Sequence, residues 1–128
     1  MTVISTLLTG NCIAHATDSF LTVIQRDGSL KVVESQKPKL VAIRHFRGAV
    51  SFCGFAGYSG LRLIDWLSRK TQQARSFSSP DKFAQWLAVE LDKWLQIVPG
   101  GPANRNRGVG LHFSFYESLS FGAVPELL

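Results

Sequence analysis

Residues 2–22 read TVISTLLTGNCIAHATDSFLT, and how this stretch turns decides how the rest of the chain is read. Val3 to Leu8 alternates two sets, Val3, Ser5 and Leu7 against Ile4, Thr6 and Leu8. Both sets are mostly aliphatic or β-branched, which predicts a strand covered on both faces. Gly10-Asn11 supplies a turn, because both residues tolerate the backbone angles of a tight reversal. Cys12 to Thr17 is then the returning strand. A hairpin brings the start of one strand beside the end of the next, so Thr2 and Asp18 become neighbours, with Gly10 near the midpoint. Every hairpin joins its ends in this way, and either residue is ordinary where it stands.

Working outward, Phe20 to Gln25 and Ser29 to Glu34 flank Arg26-Asp27-Gly28, a strong hairpin signal. After Pro38, Leu40 to Phe46 and Ala49 to Phe55 read as two strands around Arg47-Gly48. Beyond Gly57 the apolar period changes from two to about 3.6. Leu61, Ile64, Trp66 and Leu67 predict a helix over 59–76, with Ser59 as its cap. Ser79-Pro80-Asp81 opens a second helix over 80–98: a capping serine, a proline in the first turn, and an acid near the positive end of the dipole. Its stripe is Phe83, Trp86, Leu87, Leu91, Trp94, Leu95 and Val98. The three tryptophans read as core between helices and sheet. Pro99 to Arg107 forms a polar loop, Val109 to Phe115 alternates as a further strand, and Leu119 to Val124 is its hairpin partner. Strands, two helices, then strands describe a single α+β domain over 1–128, with the helices on one face of a largely antiparallel sheet.

Composition bounds the function. The 128 residues are 45% hydrophobic and 18% charged, a globular balance. No apolar run reaches the roughly 20 residues of a membrane span, and no basic flank precedes an apolar block as in a secretion signal. A cytoplasmic protein is the expectation. Cys12 and Cys53 sit in apolar runs and read as buried thiols. With His15, His45 and His112 scattered in sequence, no metal-ligand spacing or cofactor motif is present. The net charge of +5 is dispersed over 14 basic residues, whereas a nucleic-acid surface calls for a dense basic stripe.

Thr2 carries a chemistry of its own. Once Met1 is removed, which a small following side chain permits, Thr2 holds a hydroxyl nucleophile and a free α-amine on one residue. That amine has a reference pKa of about 8 and can accept a proton near neutral pH. A cation would organise such a site, and an acid would hold the cation.

Thr2, Gly10, Ala16-Thr17-Asp18, the DSFLT stretch, KPKLVAI, and FCGFAGYSG before a helix occur in an order that resembles the N-terminal nucleophile hydrolases of the proteasome β-subunit type. The simpler bacterial ATP-dependent peptidase of that fold is included in the likeness. The resemblance spans roughly 2–98, with 109–116 as an expected central strand. It implies a layered antiparallel fold and a threonine-type peptidase acting through an acyl-enzyme on Thr2. It implies Asp18 and Lys39 as electrostatic partners, with Lys37 the alternative lysine, and the Gly54 N–H as oxyanion donor. Thr22 would hold extended substrate, and Gly57 is the second choice for the oxyanion donor, placed with it against substrate. The implied partners are a peptide or amide substrate and further copies or a ring partner. Family chains continue into more strands, two more helices and a second set of active-site residues. The sequence therefore reads as a truncated or reduced member with a layer left for a partner to cover. Two other functions fit the residues: a non-catalytic assembly subunit of the same fold, and a small basic module for an anionic partner.

Overall fold

The computed structural model describes residues 3–9, 12–18, 21–24, 26–34, 38–58, 60–98, 108–119 and 122–127. The described residues form an α+β fold, with antiparallel strands and two α-helices among them. β1 (Ile4–Leu8) and β2 (Ile13–Thr17) form the first hairpin, in the register Ile4 to Thr17 through Leu8 to Ile13. The Thr9 N–H donates to the Cys12 carbonyl at 2.9 Å and closes the turn. β3 (Leu21–Ile24) and β4 (Leu30–Glu34) make a second hairpin. β5 (Leu40–Ile43), β6 (Gly48–Gly54), β9 (Val109–Leu119) and β10 (Gly122–Leu127) form a four-stranded sheet in the order β10-β9-β6-β5. β7 (Gly57–Tyr58) and β8 (Leu61–Arg62) are a short bridge into α1 (Leu63–Lys70). A 3₁₀ segment, Thr71–Ser76, follows α1, and α2 spans Pro80–Ile97.

Strand alternation separates the faces of the main sheet. Val50, Phe52, Phe113 and Phe115 are buried in one cluster with Leu63, Trp66 and Leu67 of α1 and Phe83, Leu87, Leu91 and Trp94 of α2. Each large side chain fully buried there contributes about 1.5–3 kcal/mol. Trp66 and Trp94 lie 5.8 Å apart between centroids, and Trp86 packs on Phe77 and Phe83. The tryptophans are thus largely interior, as the sequence implied. Ser79 caps α2, its hydroxyl accepting from the Lys82 N–H at 3.3 Å, with Pro80 in the first turn. Lys70 ties the helices together: its ammonium bonds Glu90 at 2.9 Å and lies over the Trp66 and Trp86 rings.

Five local expectations are corrected. The first helix starts at Leu63, with Arg62 and not Ser59 at the cap position. The short β7–β8 bridge occupies that segment, and Gly57 at φ 150 and Gly60 at φ 84 shape it. Leu61 therefore lies in a strand and is exposed. The strand beginning at Leu40 stops at Ile43, because a 3₁₀ turn at Arg44–Phe46 ends on Arg47 in the left-handed region. β1 is open on one face: Val3 and Leu7 are 55% and 60% exposed, while Ile4, Thr6 and Leu8 are half-buried. Cys12 is exposed at the mouth of the turn, and only Cys53 is partly covered. The partner of β9 begins at Gly122, three residues later than the sequence suggested. Among the described residues no helix is long and apolar enough to cross a membrane.

Candidate functional site

The first hairpin ends where the sequence directed attention. The Asp18 N–H donates to the Val3 carbonyl at 3.1 Å, and the Val3 N–H donates to Asp18 Oδ1 at 3.2 Å. The ladder thus extends one pair beyond β1 and β2, and the carboxylate turns back onto the strand that leaves Thr2. The same Oδ1 meets Lys39 Nζ at 3.2 Å. Lys39 is 3% exposed and Asp18 23%, so this ion pair is sheltered rather than solvated. An ammonium that deep is costly to hold without a counter-charge and hydrogen bonds. Lys39 is placed by the main sheet, where its carbonyl accepts from the Phe52 N–H at 3.2 Å. The hairpin supplies the acid and the sheet supplies the cation.

Gly54 ends β6, two residues beyond Phe52, and so lies at the same end of the β5–β6 pair as Lys39. Its φ of 92 is a conformation that favours glycine. Gly57 has a nearer structural reason to be glycine, since a Cβ there would run into the Leu61 carbonyl oxygen and the Arg62 Cα. Thr22 pairs with Val32 beside a bulge in β3–β4. Thr2, Lys37 and the side chain of Thr22 lie outside the described residues, as do Gly10 and Asn11.

A second polar cluster lies between the hairpin and the sheet, on the face opposite the helices. His15 of β2 reaches Ser114 Oγ through Nδ1 at 2.7 Å and Ser51 Oγ through Nε2 at 2.8 Å. Both serines are fully buried. His112, opposite Ser51 in the β6–β9 register, bonds Thr6 of β1 at 3.1 Å, and its ring meets that of His15 edge-on at 5.2 Å. Burial first, and the neighbouring His112 second, push the His15 pKa below its ordinary value. A neutral imidazole offers one donor and one acceptor, and each serine can play either part, so both ring nitrogens are satisfied in either tautomer. Tyr116, on the same face of β9, has a buried hydroxyl with no partner among the described residues.

The two histidines, scattered in sequence, are therefore neighbours. A faint signal existed: Ser51 and Ser114 interrupt the apolar runs AVSFC and HFSFY, and a small hydroxyl inside such a strand needs a partner. The partner could not be named, because β6 and β9 are separated by both helices. Among the described residues no three His, Cys, Asp or Glu side chains gather as a metal site. Neither protein-family models, curated proteins nor solved structures yield a match to this chain.

Proposed function

We propose that this chain is a threonine-type amide hydrolase in which Thr2, freed by removal of Met1, is the nucleophile. The observation that carries the reading is the sheltered Asp18–Lys39 pair, whose carboxylate is bonded to the backbone of the residue directly after Thr2. A fixed cation at that place would favour the neutral form of the terminal amine, the form that can take a proton. Thr2 Oγ attacks the carbonyl carbon of the scissile amide, and its proton passes through a water to the Thr2 amine. The oxyanion of the tetrahedral intermediate is met by the Gly54 N–H, a type of donor worth about 3 kcal/mol of barrier. Collapse expels the product amine, which receives the proton, and leaves an ester on Thr2. Water hydrolyses that ester, returning the hydroxyl. Thr22 and Gly57 would line the path of an extended peptide.

The test is turnover of a peptide panel by Met1-free protein and by Thr2→Ala. The variant is expected to keep its circular dichroism and to lose hydrolysis to background. Hydrolysis unchanged in Thr2→Ala would remove the proposal.

One observation favours a second reading, a non-catalytic assembly subunit. Val3 and Leu7 present an uncovered apolar edge on the outer face of the first hairpin. A single-copy particle in sedimentation at high concentration would count against that reading.

A further inference from the structure

A depression of about 300 Å³ lies between β5, the 3₁₀ turn at Arg44–Phe46, α1 and the 3₁₀ segment Thr71–Ser76. That is the lower end of the range for small-molecule sites. Arg44 and Arg75 both line it, and no carboxylate does. The ion-paired acids among the described residues are engaged elsewhere: Asp18 with Lys39, Asp65 with Arg62, and Glu90 with Lys70 and Lys93. Among the described residues neither Arg44 nor Arg75 has an ion pair, so two permanent cations face one concavity without compensation.

The donors point to the ligand. Ser68 and Thr71 also line the depression, but their hydroxyls already donate to the carbonyls of Ile64 at 2.8 Å and Ser68 at 3.2 Å. The N–H groups left for a ligand include the two guanidinium groups and the Gln72 amide. Residues three apart on a 3₁₀ segment stand in line, so Gln72 and Arg75 rise from one wall. Arg44 comes from a different element, the 3₁₀ turn that follows β5. Val41 and Ala42 add an apolar stretch beside them.

We propose that this depression binds the phosphoryl group of a small phosphate monoester, held between Arg44 and Arg75 with Gln72 as a further donor. Guanidinium forks match phosphate oxygens. Two cations balance a group carrying about −1.5 to −2 charge near neutral pH, whereas one carboxylate leaves a cation over. The apolar stretch would take the organic remainder. The site shares no residue with the Thr2, Asp18 and Lys39 constellation and stands whether or not that constellation is catalytic.

The experiment titrates ribose phosphate, inorganic phosphate and uncharged ribose into isotope-labelled protein at about 0.1 M salt, where distant surface charges are screened. Ribose phosphate is expected to give saturable shifts centred on Arg44, Gln72 and Arg75, inorganic phosphate to bind more weakly, and ribose to give none. Arg44→Gln and Arg75→Gln should each weaken binding about tenfold, the loss of one charged hydrogen bond. Arg26→Gln makes the same charge change in the exposed β3–β4 turn and should leave affinity unaltered. All three positions are exposed, and circular dichroism verifies the fold of each variant. Absence of saturation, unaltered affinity in the Arg44 and Arg75 variants, an equal loss in Arg26→Gln, or inorganic phosphate binding as tightly as ribose phosphate would each overturn the assignment.

Discussion

The two faces of the four-stranded sheet are held by opposite means. Toward the helices, Val50, Phe52, Phe113 and Phe115 are buried in one apolar cluster with Leu63, Leu67, Phe83 and Leu87, held by non-directional packing. Toward the first hairpin, Ser51, Ser114 and His112 meet His15 and Thr6 through hydrogen bonds of fixed length and direction. Apolar burial scales with area and tolerates many arrangements. Buried hydrogen bonds add little net stability when made and cost much when broken. The helix face therefore supplies stability, and the hairpin face supplies position. What is positioned is the strand that ends at Asp18, three residues after His15.

The largest effect should come from the helix face. Phe83→Ala removes a ring that is 1% exposed and contacts Phe46, Phe77 and Trp86. A loss of about 3–5 kcal/mol in denaturant unfolding is expected. A loss below about 1 kcal/mol would mean that the helix layer is not the main source of stability.

A smaller loss, with a different signature, is expected from the hairpin face. His15→Ala leaves the Ser51 and Ser114 hydroxyls buried without their present partner, at a cost of about 2 kcal/mol. Replacing both serines by alanine in the same chain should restore part of that loss, since no orphaned hydroxyl remains. A triple variant as unstable as His15→Ala alone would break the contrast between the faces.

The smallest effect is one of pH. Burial and His112 hold the His15 pKa below its ordinary 6.5, so the unfolded chain takes up a proton that the folded chain resists. The contribution of neutral His15 is complete above that ordinary value and is lost as pH falls from it through the lower folded value. Unfolding free energy measured across this window should decline on acidification in the wild type. The decline should flatten in His15→Gln, which carries no titrating group at that position. Equal slopes in the two proteins would assign the pH response to other groups.

The contrast also explains what could be read from residues alone. The helix face was legible because burial writes itself as period: Phe83, Leu87, Leu91 and Trp94 recur at helical spacing, and Ser79-Pro80 marks the start. The hairpins were legible through Gly10-Asn11 and Asp27-Gly28, and the central place of β9 followed from the resemblance. Helix onset at residue 59 failed because Gly57 and Gly60 build a bridge that a search for period passes over. The Ser51, His15 and Ser114 cluster was only faintly signalled, because one hydroxyl in an apolar strand has no period, and its partners come from strands distant in sequence. Within the candidate site, Asp18 and the end of the hairpin follow from local pairing. Lys39 had to be chosen over Lys37 by resemblance, and its near-complete burial against Asp18 is a tertiary fact that no spacing encodes.

The proposed nucleophile is the chain's second residue, beside that pair. The direct measurement is labelling of Met1-free protein with an electrophile selective for N-terminal threonine, mapped by peptide mass spectrometry in wild type, Thr2→Ala and Asp18→Asn. One adduct on Thr2, absent from Thr2→Ala and strongly slowed in Asp18→Asn, is the result predicted. No adduct, an adduct on another residue, or labelling of Thr2 at the same rate in Asp18→Asn would contradict it.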